Sequence, residues 1–526
     1  MFLLCFFISP SSPAWARTFG KTVMLKAAHK PILCALICFF CTFASAQTDL
    51  PDINLRADAA GSNNPSADDM RSNDPNADDA MDSTRGKGVS TPAELPSKPA
   101  EGTPQVQSWN FHMQGTAVEQ INAPFSAKYS GTNSLPTSVE GRETLSMDMY
   151  AGYRLWNGAE FHLDILTWQG YGLNSALGID DFPSGEAYKV GTHPPHSNIA
   201  RFFIRQTIGL GGEKEDLVDD PLTLSGRQDI SRLTFTIGRF SAKDIFDTNA
   251  YANDPRTQFM NWTLVANGTW DYPADSLGYT TGLTVELNQP KWTARYGFFQ
   301  VPNQRNGFTA DGQYLMWPGD DSAGDGRFWH NWAMALEAER RYSINAHPGT
   351  VRILSYLNQA NMGSYRAALS APGTDIDLTH ALRHSYGTGI NIEQEITKNI
   401  GVFSRLGKND GHNEAWMFTD INSTATFGAS VKGAYWHRSE DTIGLAGILS
   451  GTSKASQKFL EAGGTGILDG DGNLNYAMEK VLETYYDCRI TKHLHGALDY
   501  QFIANPAFNK DRGPVSVFGT RLHFEF

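Results

Sequence analysis

Two pairs of carboxylates, Glu337 with Glu339 and Glu393 with Glu395, stand two residues apart in this chain. Side chains alternate across a β-strand, so each pair shares one face, near the separation that retaining glycoside hydrolysis requires. The same spacing also builds a wall of negative charge, and nothing beside either pair supplies a distinct acid pocket. An exported β-rich carbohydrate-active enzyme is therefore kept only as an alternative, and the chain is read as not an enzyme. Asp469-Gly470-Asp471-Gly472-Asn473 resembles the opening of a calcium loop, but Leu474 stands where that loop needs glycine and Lys480 where it needs glutamate. It reads as a surface turn. His162, His495 and His523 have no clustered ligand spacing, so no metal and no cofactor is implied.

A different chemistry lies in arginines and rings. Arg201, Phe203 and Arg205 occupy alternate positions, and Arg232 follows on a nearby segment. Residues 240–270 carry Asp244, Asp247, Asp254, Arg256 and Trp262 among asparagines and glutamines. Charged hydrogen-bonding groups beside aromatic platforms suit a ligand with hydroxyls around its edge and C–H faces above and below. Each residue also has a structural alternative. An inward charge can brace a wall through an ion pair, and Asp247 and Arg256 could pair with each other. Trp262, Trp270 and Tyr272 could be platforms, Trp262 before the other two, but membrane-interface anchoring accounts for many barrel aromatics.

The elements that must hold these residues are strands. In 144–155, Leu145, Met147, Met149, Ala151, Tyr153 and Leu155 share one face, while Ser146, Asp148, Tyr150, Gly152 and Arg154 share the other. Asn157-Gly158 follows, a pair that favours a type I′ hairpin turn. The partner segment then sets Ala159, Phe161, Leu163 and Ile165 against Glu160, His162 and Asp164. The alternation recurs at 232–237, 292–298 and 494–502. It is clearest at the end of the chain, where Phe518, Thr520, Leu522, Phe524 and Phe526 oppose Gly519, Arg521, His523 and Glu525.

From Met24 the chain has the parts of a secretory signal: Lys26 and Lys30, an apolar core over 32–43, then Ala44-Ser45-Ala46 before Gln47. Residues 1–46 are expected to be a signal region with Met24 as the true start. Residues 47–107, rich in Pro, Ser, Asn and Asp, are expected to be a disordered acidic tail, with the folded unit at 108–526. Cys488 alone then remains of five cysteines. The formal charge of −13 becomes four units more negative once Arg17, Lys21, Lys26 and Lys30 leave with the signal. A partner made of phosphates, nucleic acid above all, is disfavoured.

After Trp109 no apolar run approaches the eighteen or so residues of a spanning helix. Lipid tolerates only structures whose backbone polar groups are all satisfied within the protein, which leaves a closed barrel for an exported membrane protein. The expected fold is all-β, a transmembrane antiparallel barrel with apolar faces to lipid and charged faces to a wet lumen. Residues 240–270 break the alternation and are expected to fold into that lumen as its constriction.

Several long strings carry a family likeness. ARFFIRQTIGLGG at 200–212, IGRFSAKDIFDTNAYANDPRTQFMNWTLVANGTWDYPADSLGYTTG at 237–282 and RLWNGAEF at 154–161 resemble the carbohydrate-selective porins of the OprB type. So do HPGTVRILSYLNQANMGSY at 347–365, RLGKNDGHNEAW at 405–416 and ANPAFNKDRGPVSVFGTRLHFEF at 504–526. The resemblance implies about sixteen strands, a homotrimer in the Gram-negative outer membrane, and passive entry of glucose and related sugars into the periplasm. It also implies that Phe526 is a signal to the barrel-assembly machinery. A general porin, or one for small acids or amino acids, is the nearest alternative; an adhesin or purely structural barrel is more distant.

Overall fold

The structure is a computed structural model that describes residues 106–187, 191–305 and 330–526. The expected signal region at 1–46, and all but the last residues of the expected tail, lie outside the described residues. The strands are β1 Trp109–Asn122, β2 Glu140–Trp156, β3 Ala159–Gly170, β4 Thr192–Gly209, β5 Lys214–Leu217, β6 Gly226–Asp229, β7 Arg232–Phe240, β8 Thr280–Gln289 and β9 Trp292–Gln300. They continue as β10 Trp332–Ile344, β11 His347–Ala360, β12 Arg383–Thr397, β13 Ile400–Asn409, β14 Ser423–Gly433, β15 Arg438–Gly451, β16 Glu479–Arg489, β17 Leu494–Ala504 and β18 Val515–Glu525.

Among the described residues sixteen of these strands close into one antiparallel barrel, and β5 and β6 form a separate hairpin inserted between β4 and β7. Closure comes from β1 pairing with β18, with Gln114 opposite Glu525 and Asn122 opposite Val517. Beyond the last strand, the Phe526 N–H donates to the Met113 carbonyl at 3.0 Å. A closed sheet leaves no edge with unpaired backbone groups, which is what a hydrocarbon surround demands. No described helix is long and apolar enough to cross a membrane.

The face assignments follow the alternation. Leu145, Tyr153, Leu155, Ile237, Tyr296, Leu498 and Phe518 are exposed on the outside, while Asp148, Tyr150, Thr236, Asp499, Arg521 and His523 are buried inside. Trp109, Tyr153 and Trp156 cluster on the outside where β1 begins and β2 ends, as expected of an interfacial aromatic belt. Short turns such as 290–291, 345–346 and 398–399 occupy one rim, and long connections such as 123–139, 241–279, 361–382 and 452–478 occupy the other.

Two expectations need correction. The turn at Asn157-Gly158 is not type I′, which would need positive φ at both residues. Gly158 alone has φ +76°, and the β2–β3 register slips between Arg154 and Trp156. A bulge next to a single left-handed glycine satisfies the hairpin instead.

The lumen is also not simply charged and wet. Inward residues include Phe299, Leu354, Tyr356, Phe403, Ala446, Tyr485, Ile503 and Val517, and all are buried. They are covered by the connection 241–279, whose Phe246, Phe259, Leu264 and Trp270 pack against them. Phe259 sits edge-on to Phe403 at 5.4 Å and to Tyr485 at 4.9 Å between ring centres. A segment folded into a barrel gains stability by burying its own apolar side chains, so the inner wall supplies apolar partners exactly where that segment lands, and strict polar alternation gives way there.

Candidate functional site

Connection 241–279 begins with a capped turn: the Lys243 N–H donates to the Ser241 hydroxyl, and the Ser241 N–H donates to the Asp244 carboxylate at 3.0 Å. Far across the barrel, the Met260 and Asn261 N–H groups donate to Glu483 of β16 at 2.6 and 3.0 Å. Asn261 then caps the short helix Trp262–Val265 by accepting from the Thr263 N–H at 3.0 Å. The segment is thus pinned at both walls, and it carries Arg256 and Trp262 into the lumen between them.

Arg256 pairs with Asp148 of β2 at 2.7 Å and with Glu186 at 2.8 Å, not with Asp247. Asp247 belongs to a different cluster. It accepts from the buried Arg405 of β13 at 3.1 Å and lies 3.9 Å from Lys243. The two residues are close in sequence, but the chain between them turns through the lumen and delivers them to separate partners. Asp254 accepts from the Arg256 N–H at 2.9 Å and shapes the turn that presents the guanidinium. Burial raises the Glu186 carboxyl above its ordinary value, with Arg256 opposing. Burial likewise pushes the Lys243 ammonium down to about 8 against the pull of Asp247.

Arg201, Phe203 and Arg205 share the inner face as their spacing requires, while Phe202 and Ile204 face out. Arg201 pairs with Asp164 of β3 at 2.6 Å and bidentately with Asp244 at 2.7 and 2.8 Å, and its guanidinium lies 5.0 Å from the Tyr279 ring centre. Phe203 stacks on His162 at 5.0 Å. Arg205 turns toward the short-turn rim and donates to the Leu222 carbonyl at 2.8 Å. Arg232 does not join them. It stands at the start of β7 opposite Gly209 and pairs with Glu215 of the small hairpin at 2.7 Å.

The carboxylate pairs are braces. Glu337 and Glu339 both bind Arg295 of β9, at 2.8 and 2.9 Å, and Arg352 links Glu339 at 3.0 Å to Glu393 at 3.3 Å. The Glu337 carboxylate also takes the Asp247 N–H at 2.8 Å, and Glu393 the Ala250 N–H at 2.6 Å. One oxygen of Glu337 and one of Glu393 thus hold the connection to the wall, Glu339 is shared among wall arginines, and Glu395 accepts from His347 at 2.8 Å.

Beside Arg256 a cavity of about 100 Å³ opens, lined by Glu186, Arg256, Trp262, Tyr272, Tyr279 and Phe418 among others. Its aromatic side is continuous. Trp262 and Tyr272 lie nearly parallel, 12° apart at 6.3 Å between centres, Phe418 is 4.6 Å from Tyr272, and Phe182 is 5.1 Å from Trp262. Trp270 is buried behind this surface, 5.7 Å from Tyr272, and does not line the cavity. Sequence reasoning missed Glu186, Phe182 and Phe418, which come from connections with no alternation to fix their direction. Asp148 was legible as an inward residue, but its partner was not.

The arrangement sets ion-paired hydrogen-bonding groups against a ring surface within a barrel, and residues 132–526 match the model of the carbohydrate-selective porin, OprB family. The chain belongs to that family. Its fold is that of Pseudomonas putida OprB in the high-pH structure, at 17% identity and a TM-score of 0.60, over 80% of this chain and 94% of that one. The low-pH structure of Pseudomonas putida OprB has a TM-score of 0.43 at 14% identity, covering 80% and 93%. The outer-membrane channel DcaP of Acinetobacter baumannii has a TM-score of 0.42 at 8% identity, covering 82% and 100%. A search of curated protein sequences gave no match. This OprB-family porin is a channel of the Gram-negative outer membrane for sugars, and its family and fold point away from an enzyme.

Proposed function

We propose that the chain is a passive pore through which glucose and related sugars diffuse into the periplasm, with its constriction at the Arg256–Trp262 cavity. The observation that carries this reading is the pairing, in one cavity, of the Arg256–Glu186 ion pair with the ring surface of Trp262, Tyr272 and Phe418. Sugar hydroxyls exchange hydrogen bonds with the charged pair while C–H faces rest on the rings. Arg201 and Arg256 are each matched by two carboxylates, which speaks against small acids as the main cargo. Export through a signal cleaved after Ala46, assembly through recognition of Phe526, insertion among outer-membrane lipids and a homotrimeric state complete the proposal.

Planar-bilayer recording tests it. A single channel should carry open current that glucose reduces in a saturable way, and liposomes should swell faster in glucose than in other solutes of matched size. Entry ordered by solute size alone would leave a general porin, and an absence of open current would leave a structural barrel.

A further inference from the structure

The Asp469-Gly470-Asp471-Gly472-Asn473 segment is not the surface turn its composition suggests. Gly472 and Asn473 are exposed, but the Asp469 and Asp471 side chains are buried. Asp471 is neutralised by Arg512 at 3.2 Å and receives Asn509 Nδ2–H at 3.0 Å. Asp469 has no such cation. It meets Asp180, from the connection after β3, and Asp420, from the connection after β13, and one carboxylate oxygen from each lies within 4.8 Å of the other two.

All three carboxylates are almost wholly removed from solvent. Asp180 is fully buried, yet neither of its oxygens has a hydrogen-bond partner, and one oxygen of Asp469 has none either. Asp180 and Asp469 form no ion pair among the described residues. Asp420 accepts from the Leu468 N–H at 2.9 Å and from the Tyr365 hydroxyl at 3.3 Å. Gly466 borders the cluster so closely that a Cβ there would lie 2.2 Å from an Asp469 oxygen and 2.7 Å from an Asp420 oxygen. A buried carboxylate without a donor or a counter-charge costs several kcal/mol, so such groups are paired or coordinate metals. Burial, reinforced by Asp469, Glu479 and Asp420, pushes the Asp180 carboxyl well up from its ordinary value, a direction that a bound cation would reverse.

We propose that Asp180, Asp420 and Asp469 are the protein ligands of a Ca²⁺ ion that ties three connections of the long-loop rim together. Ca²⁺ takes oxygen ligands at about 2.3–2.6 Å, so oxygens on opposite sides of one ion stand about 5 Å apart, which matches the span of this cluster. Mg²⁺ prefers to keep several waters and is the poorer fit to three buried carboxylates. The second grouping of possible ligands, Asp377 with His380 and Glu414, is partly exposed and already holds Arg305, 2.6 Å from Glu414, so it carries no such demand.

The position gives the ion a consequence. Phe182, Phe418 and Leu468 line the cavity at the constriction, and each lies within two residues of one ligand: Asp180, Asp420 and Asp469 respectively. The ion fixes three pieces of that wall at once. This consequence, though not the binding itself, rests on the constriction reading above.

The test uses the full chain purified in detergent and freed of metal with a chelator. Calorimetric titration with Ca²⁺ alone should show one ion per chain, and Ca²⁺ should raise the thermal midpoint that the chelator lowers. Asp180→Asn should bind at least ten-fold more weakly and lose the Ca²⁺ response, while unfolding in chelator at or above the midpoint of the unaltered chain, because a like charge is gone. Asp377→Asn should bind as the unaltered chain does. Tb³⁺ bound to the unaltered chain should luminesce on excitation of tyrosine, and Tyr365→Phe should remove most of that emission without weakening binding. The proposal is overturned if the unaltered chain binds no Ca²⁺, if Asp180→Asn binds as tightly as its parent, or if Asp377→Asn removes as much binding. Shared protons among the carboxyls would then account for the cluster. Glucose block of the current, recorded in chelator, separates this outcome from failure of the sugar reading.

Discussion

Two inward clusters of the same residue types behave differently. Around Arg405, on the β13 side, the guanidinium is fully buried and donates to both Asp247 carboxylate oxygens, to the Asp247 and Leu264 carbonyls and to the Ala252 carbonyl. Around Arg256, on the β2 side, the guanidinium has two carboxylates, Asp148 and Glu186, and the next surface is a cavity faced by rings. A buried arginine held by a carboxylate and by backbone carbonyls is a brace, whereas one beside a gap and an apolar platform can serve the recognition proposed for Arg256. Charge alone does not distinguish the two; what occupies the neighbouring volume does.

The contrast breaks most sharply at Arg405. Replacing it by Met leaves the buried Asp247 with only Lys243, 3.9 Å away, as counter-charge, and the expected cost is about 3 kcal/mol. Thermal unfolding followed by heat-shifted electrophoretic mobility should show it, and noisy, enlarged conductance should accompany the loosened connection. A loss no larger than that of an exposed pair would remove the brace from the comparison.

Asp271 tests how firmly the ring platform is held. Its carboxylate accepts from the Trp416, Met417 and Phe418 N–H groups at 2.7, 3.1 and 2.7 Å, and so places Phe418 at the cavity. Asp271→Asn puts a donor among those donors, at an expected cost of about 1–3 kcal/mol. The pH response sharpens the point. Burial holds this carboxyl at about 6 in the folded chain, above its ordinary 3.8, with the Phe418, Trp416 and Met417 N–H groups opposing. Its contribution to stability is therefore full below the ordinary value and is lost as pH rises through about 6. Asp271→Asn should flatten that part of the stability–pH curve, and an unchanged curve would show that the group does not titrate there.

At the platform itself, Trp262→Ala should weaken glucose block of the channel current about ten-fold, equivalent to about 1.4 kcal/mol, while open conductance rises. Unchanged block would move the sugar site elsewhere in the pore. The smallest effect is expected at Arg232, whose pairing with Glu215 is partly exposed. Arg232→Ala should change stability by about 0–1 kcal/mol and leave glucose block as it was.

Much of this molecule is legible in the order of its residues. A period of two, repeated from Leu145 to Phe524, assigns each strand residue to the outer or the inner face of the barrel, because a pleated strand has only two faces. Arg201, Phe203 and Arg205 point inward on that ground alone, as does Asp148. The break in alternation after Phe240 marked the segment that enters the barrel, because a chain without an apolar face has no place in the wall. Tertiary structure decided which inward groups meet. The choice of Asp148 and Glu186 for Arg256, of Arg405 for Asp247, and of Glu215 for Arg232 depends on the path of a connection through enclosed space. So does the meeting of Asp180, Asp420 and Asp469, whose separation in sequence carries no sign of it. Local periodicity is set by backbone geometry within a few residues, whereas contact across a lumen is set by closure of the whole ring.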